Sequence, residues 1–217
     1  MRRVRHTLTL LIFAAGCLAP GLARAGAQNY EPLSTAVRAT LHKAIADQAA
    51  PQTVFRHDDE AQRWLAAMST RLQSRMPDRA LRDDFLLTVR YEAMRAGLDP
   101  QLVLGLIEVE SNFRKYAVSS AGARGYMQVM PFWVKLIGTG EHNLFHLRTN
   151  LRYGCVILRH YLDIERGDLF RALGRYNGSL GQPQYPNLVL AAWRGRWEYQ
   201  AQSKEVSPRV AASSASR

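Results

Sequence analysis

Apolar residues recur at three- and four-residue intervals along most of this chain. Val37, Leu41 and Ile45 repeat every four residues. Ala61, Trp64, Leu65, Met68 and Leu72 form a second stripe, and Leu81, Phe85, Val89 and Ala93 a third. This is the spacing of amphipathic helices, whose apolar face turns toward a core. Pro51 and Pro77 punctuate the connections. Gly97-Leu98-Asp99-Pro100 is a helix junction: Gly97 ends one helix in a left-handed turn, Asp99 caps the next, and Pro100 opens it. That helix runs to about Asn112. Two more are predicted over 150–165 and 168–177, with Asn150 and Asp168 as caps. Strand signals are nearly absent. The predicted fold class is therefore all-α, with one good core and room for a small accessory subdomain in 217 residues.

The two ends of the chain read differently from its middle. Arg2-Arg3-Val4-Arg5, the short apolar run Leu8 to Ala15 and Ala23-Arg24-Ala25 fit a secretory signal over residues 1–25, cleaved after Ala25. The run is short for a membrane span, so the mature chain is expected to carry no transmembrane helix and to be periplasmic. An alternative is lipid attachment at Cys17, although Ala14 stands where a lipoprotein signal usually has Leu. Residues 26–32 read as an exposed lead-in, and 198–217, ending Ala-Ser-Ser-Ala-Ser-Arg, as a disordered tail.

Composition narrows the function classes. The chain is 47% hydrophobic and 22% charged, an ordinary globular balance. Of its +11 net charge, four units come from Arg2, Arg3, Arg5 and Arg24 in the targeting segment. A basic surface suits polyanions, but no nucleic-acid motif and no interleaved aromatic-basic stripe is present, so nucleic acid ranks low. Cleavage leaves Cys155 alone, and its helical spacing with Leu151, Leu158 and Leu162 marks a buried thiol. The six histidines are scattered, so neither a metal site nor an organic cofactor is expected.

Candidate chemistry centres on residues 110–131, ESNFRKYAVSSAGARGYMQVMP. Glu108 and Glu110 compete for the acid's role. Glu110 lies seven residues after Val103, four after Leu106 and three after Ile107, on the apolar stripe of its own helix. Glu108 shares a mixed face with Gln101, Leu104, Gly105 and Asn112. A carboxyl on an apolar stripe loses water, which raises its pKa and suits it to general acid work. Taken alone, a glutamate at a helix end more often pairs with an arginine or turns outward. Ser111 alone would be a cap, Met127 core filling and Gln128 a solvated amide. Gly122 and Gly125 alone would shape a connector.

Glu110-Ser111, the small-residue turn, Gly125-Tyr126-Met127-Gln128-Val129-Met130-Pro131 and Tyr176-Asn177-Gly178 occur in one order. This combination resembles the soluble lytic transglycosylases, a goose-type lysozyme-like family, over roughly residues 90–195. The resemblance implies a lysozyme-like helical domain over 90–197, with residues 26–89 as an N-terminal helical extension. It implies an enzyme that cuts the β-1,4 bond between N-acetylmuramic acid and N-acetylglucosamine in peptidoglycan strands, leaving a 1,6-anhydromuramic end. Glu110 would be the catalytic acid and then base. Ser111, Met127, Gln128, Tyr176 and Asn177 would bind or frame the substrate, with the Tyr176 ring supporting Glu110. The chain departs from the family's usual pattern at Tyr126, where Leu is usual, and at Arg175, where Ala is more often found. Tyr185, in Gln182-Pro183-Gln184-Tyr185-Pro186, is divided evenly between a cleft wall and a loop anchor. Trp133, Trp193 and Trp197 read as packing residues.

Two competing readings remain at this point. A hydrolase of lysozyme type would need a second carboxylate, for which Glu141 and Asp163 are the candidates. A non-catalytic glycan-binding or envelope-assembly protein would use the same scaffold without the acid. Envelope or secretion machinery is the partner class left open.

Overall fold

The computed structural model describes residues 28–46 and 59–200. The expected signal segment with Cys17, and residues 201–217 of the expected tail, lie outside them. Among the described residues the fold is helical throughout. It contains α1 (Thr35–Ala46), α2 (Asp59–Leu72), α3 (Arg79–Arg95), α4 (Pro100–Ser111), α5 (Phe132–Ile137), α6 (Leu147–Ile164), α7 (Leu169–Asn177) and α8 (Gln184–Ala192), then a π-helical turn over Trp193–Trp197.

The caps explain several boundaries. Asp99 Oδ1 accepts from Gln101 N at 2.7 Å, with Pro100 at the first helical position of α4. Gly97 takes φ +66°, the left-handed turn that stops α3. Asp168 caps α7 by accepting from Arg171 N at 3.0 Å. Asn150 is not the cap expected of it. Its N–H already bonds His146 O at 2.9 Å, so α6 begins three residues earlier, and the Asn150 side chain turns into the protein. Helix α5 was not predicted, because six residues are too few to display a period.

Packing runs as a closed circuit. α4 lies against α3 and α8, α3 against α6, α6 against α7, and α7 against α8. Leu102 to Ile107 of α4 are all buried inside this ring. Gly105 lets the chain cross closely there, since a Cβ on it would stand 2.9 Å from Trp193 N. The sequence-predicted extension is not separate from the ring. α1 packs on α5 and α6, and α2 packs on α3. Buried Glu92 of α3 gathers Arg95 at 3.2 Å, Arg148 at 3.4 Å and Arg152 at 2.9 Å. Arg95 and Arg152 also donate to Ala44 O and Ile45 O, the last carbonyls of α1. These guanidiniums satisfy carbonyls that a helix end otherwise leaves open.

Candidate active site

The end of α4 carries the two competing glutamates, and their surroundings are opposite. Glu108 bonds Arg75 at 3.1 Å, Arg196 at 2.6 Å and Trp197 Nε1 at 2.6 Å. Glu110 points inward and is 4% exposed. Its Oε1 accepts from the Tyr185 hydroxyl at 2.5 Å. Its Oε2 is buried without a hydrogen-bond partner among the described residues. Burial pushes the Glu110 pKa up to about 8, against the opposing pull of the Tyr185 hydrogen bond. At neutral pH the carboxyl therefore holds its proton.

The chain turns sharply just past the acid. Asn112 and Phe113 both take positive φ, 49° and 63°. Arg75 Nε holds Asn112 Oδ1 at 2.8 Å, and Phe113 packs against Phe85 and Trp197. The N-terminal helices thus help to end α4 at this point.

The glycine turn folds back beneath Glu110 as a compact loop. Arg124 and Val129 exchange N–H···O bonds of 3.0 Å in both directions, and Gly125 N bonds Ala117 O at 2.9 Å. Gly125 has φ +74°, and a Cβ there would fall 2.4 Å from Asn150 Nδ2. Any side chain would collide with the residue that holds the loop. Asn150 Oδ1 accepts from Met127 N at 2.8 Å, and its Nδ2 donates to Arg124 O and Leu144 O, each at 2.8 Å. This buried residue was missed as a site-former, because Asn before an apolar run reads as a cap.

The structure assigns most of the sequence-predicted substrate residues to holding the site's backbone. Ser111 Oγ lies 2.7 Å from Tyr126 O and 3.2 Å from Ile107 O, joining α4 to the loop. Gln128 is 1% exposed at φ +48°, and its Nε2 donates to Ala117 O at 3.0 Å and Gly125 O at 2.9 Å. Met127 is fully buried, its thioether against Gly154 of α6. Tyr176 is also fully buried and donates to Met127 O at 2.7 Å. Burial drives its phenol pKa well up, and the nearby Glu110 adds to the rise. The phenol that bonds the carboxylate is thus Tyr185, with Tyr176 committed to the loop. Asn177 donates to Ser179 Oγ at 3.0 Å, leaving Oδ1 buried and unpartnered. Tyr126 packs on Phe85 of α3, with ring centroids 4.9 Å apart.

The other carboxylates proposed as water activators stand elsewhere. Asp163 pairs with Arg159 at 2.5 Å, and Glu141 is exposed between α5 and α6. Among the described residues, no group of three His, Cys, Asp or Glu could hold a metal ion.

Residues 88–186 match the family model described as Transglycosylase SLT domain. Over this stretch the chain is similar to the SLT transglycosylases. It is 34% identical over 98 residues to the transglycosylase of Enterobacteria phage PRD1, covering 45% of this chain and 36% of that one. A 47-residue stretch is 55% identical to membrane-bound lytic murein transglycosylase C of Actinobacillus pleuropneumoniae, covering 22% of this chain and 13% of the relative. The Haemophilus influenzae protein of the same name is 47% identical over 47 residues, with the same coverage. The chain therefore spans only about a third of the phage relative's length and about an eighth of the others'.

Proposed function

We propose that this protein is a peptidoglycan lytic transglycosylase. Its substrate is the glycan strand, cut between N-acetylmuramic acid and N-acetylglucosamine. The observation that carries this reading is the state of Glu110: buried, protonated at neutral pH, with one oxygen bonded to Tyr185 and the other unpartnered. With Oε1 accepting from Tyr185, the acid's proton belongs on Oε2, the oxygen open to a new partner. Glu110 delivers that proton to the glycosidic oxygen as the muramic C1–O bond breaks. The carboxylate so formed is steadied by Tyr185 and takes the proton from the muramic C6 hydroxyl. O6 then bonds C1, giving the 1,6-anhydro end. No water is consumed, and the nucleophile is already tethered to its target.

The remaining residues frame this chemistry. Ser111, Met127, Gln128 and Tyr176 hold the loop beneath the acid. Asn177 offers its unpartnered Oδ1 to a sugar hydroxyl or acetamido N–H. The hydrolytic alternative needs a carboxylate to activate water. Asp163 is engaged by Arg159 and Glu141 is exposed in a loop, which favours the non-hydrolytic reading. Export to the cell envelope follows from the substrate, with residues 1–25 as the signal or Cys17 as a lipid anchor. Some relatives are named as membrane-bound, and no described helix is long and apolar enough to cross a membrane.

The test is digestion of purified peptidoglycan by the mature protein, with product masses. Transglycosylation gives anhydro-muropeptides, whereas hydrolysis gives products heavier by one water. Glu110→Gln is expected to bind the glycan and release nothing. Release of anhydro products by Glu110→Gln at the wild-type rate would remove Glu110 from the reaction.

A further inference from the structure

The stretch between Glu110 and Glu141 holds no Asp or Glu, yet it carries Arg114, Lys115, Arg124 and Lys135. Elsewhere arginines of this fold find carboxylates, as Arg75, Arg95, Arg152 and Arg159 do. Lys115 and Arg124 are exposed and pair with no carboxylate among the described residues. They lie over aromatic rings instead. Lys115 Nζ stands 5.2 Å from the centroid of the Tyr116 ring, and Arg124 Cζ stands 6.0 Å from that of Phe145. The two rings meet at 5.8 Å, tilted by 51°. Tyr116 is 71% exposed, and Val118 beside it is 59% exposed. Phe85, Phe113 and Tyr126, by contrast, are buried against one another. A contiguous ring pair left in water between two unpaired cations has the makings of a binding surface.

The patch is built on the loop that serves the acid. Tyr116 follows Glu110 by six residues, at most about 20 Å of straight chain. Two turns shorten that path: Arg114 N bonds Ser111 O at 3.1 Å, and Ala117 N bonds Arg114 O at 3.3 Å. The carbonyl of Ala117, next to Tyr116, accepts from Gly125 N at 2.9 Å and from Gln128 Nε2 at 3.0 Å. Phe145 arrives from the other side. The carbonyl of its neighbour Leu144 accepts from Asn150 Nδ2, which also holds Arg124 O, each at 2.8 Å. Phe145 N itself donates to Asn143 Oδ1 at 2.9 Å. The buried amides of Gln128 and Asn150 thus fix the backbone of both rings from one peptide away. A surface held in this way gives up little freedom when a partner lands on it.

We infer that Tyr116 and Phe145 form a platform on which a sugar of the glycan strand stacks, and that Lys115 and Arg124 take carboxylates of the peptide borne by muramic acid. The enzyme then prefers peptide-bearing strands to bare glycan. This rests on the proposed function, and it names the part of the substrate that the patch recognises. Sugar rings offer flat C–H faces that suit an aromatic ring, whereas the attached peptide brings negative charge. A guanidinium lying over a ring keeps its in-plane N–H donors for a carboxylate. Rings and unpaired cations would also suit a single-stranded nucleic acid. Continuity with the loop that carries Gln128 and follows Glu110 favours the glycan.

The test compares purified glycan strands with their peptides intact and strands stripped of peptide by an amidase, cut by the mature protein. The wild-type kcat/KM is expected to be about tenfold higher on intact strands. In the double variant Lys115→Gln, Arg124→Gln that ratio should fall to about two or less, chiefly through KM on intact strands. Added salt should drive the wild-type ratio the same way. Tyr116→Ala should lower kcat/KM about fivefold on both substrates and keep the ratio, since stacking concerns the sugar. Thermal melting of each variant shows that the fold is retained. A wild-type ratio near one, or a double variant that keeps the wild-type ratio, would overturn the inference. So would an unchanged kcat/KM on both substrates in Tyr116→Ala. Co-sedimentation of Glu110→Gln with the two polymers reads the same preference without cleavage. A single-stranded oligonucleotide that displaces it from intact strands more effectively than soluble peptide-bearing glycan does would assign the patch to nucleic acid instead. Failure of the wild type to cleave either substrate would sink the functional reading, while co-sedimentation would still report on the platform, which keeps the two failures apart.

Discussion

Glu92 and Glu110 are both almost wholly buried, 1% and 4% exposed, yet they sit in opposite company. Glu92 is ringed by Arg95, Arg148 and Arg152, two of which also tie down the end of α1. Among the described residues Glu110 pairs with no cation; it meets the Tyr185 hydroxyl and apolar packing. The first carboxylate is ringed by guanidiniums and joins two parts of the fold. The second is deprived of water without receiving a counter-charge, so it keeps its proton. Burial beside guanidiniums ties a carboxylate into the fold, whereas burial without one raises its pKa.

The largest effect expected from this contrast is on Glu110 itself. Glu110→Gln should lower kcat by at least about a thousandfold, read by anhydro-muropeptide release. Its stability effect should have the opposite sign. The folded pKa, about 8, lies above the ordinary 4.5, so the folded state binds more protons than the unfolded chain between these values. Wild-type stability therefore falls as pH rises through this window, and the loss is complete above about pH 8. Glu110→Gln removes that loss. The variant should be more stable than wild type at about pH 9, on the order of a few kcal/mol, and nearly equal at about pH 4, read by denaturant melts. Equal pH dependence in the two proteins would contradict a buried neutral acid.

Glu92→Gln should do the reverse. It strands buried guanidiniums and should cost about 3 kcal/mol, read as a lower melting temperature. The specific activity of the folded protein should change less than about twofold. Tyr185→Phe sharpens the comparison from the other side. It removes the one hydrogen bond that the described residues give the carboxylate, so the acid holds its proton to higher pH and the alkaline limb of kcat moves up. The carboxylate formed in the first step also loses its support, and kcat should fall about tenfold. The smallest effect belongs to Glu108→Gln. Its partners include the half-exposed Arg196, so the loss should stay near about 1 kcal/mol, with activity retained.

The helical architecture and which of the two glutamates turns inward were legible along the chain. Both follow from local spacing: i, i+3 and i+4 positions share a face, and Glu110 extends the stripe that Val103, Leu106 and Ile107 begin. The small-residue turn was legible for a similar reason, since Gly125 adopts a backbone angle that other residues resist. The partners of these groups were not. Tyr185 lies 75 residues from Glu110, and its sequence context served a cleft wall and a loop anchor equally well. Asn150 read as a cap because the rule for caps concerns neighbours, whereas its bonds go to Arg124, Met127 and Leu144. Gln28 read as part of an exposed lead-in, because a lone polar residue before the first helix predicts solvent, yet it is 4% exposed and bonds Gln128 O and Met130 N.

What the sequence determined by itself is therefore the set of faces: which side of each helix is apolar, where the chain must turn, and which carboxyl is carried inward. Periodicity and backbone sterics act over a few residues, so they can be read over a few residues. Only the tertiary structure decided which hydroxyl reaches Glu110, which amide pins the loop and which of its oxygens stays free. Those outcomes depend on how the ring of α3, α4, α6, α7 and α8 closes. A hydrogen bond is settled within a few tenths of an ångström, a precision that packing supplies and residue spacing does not.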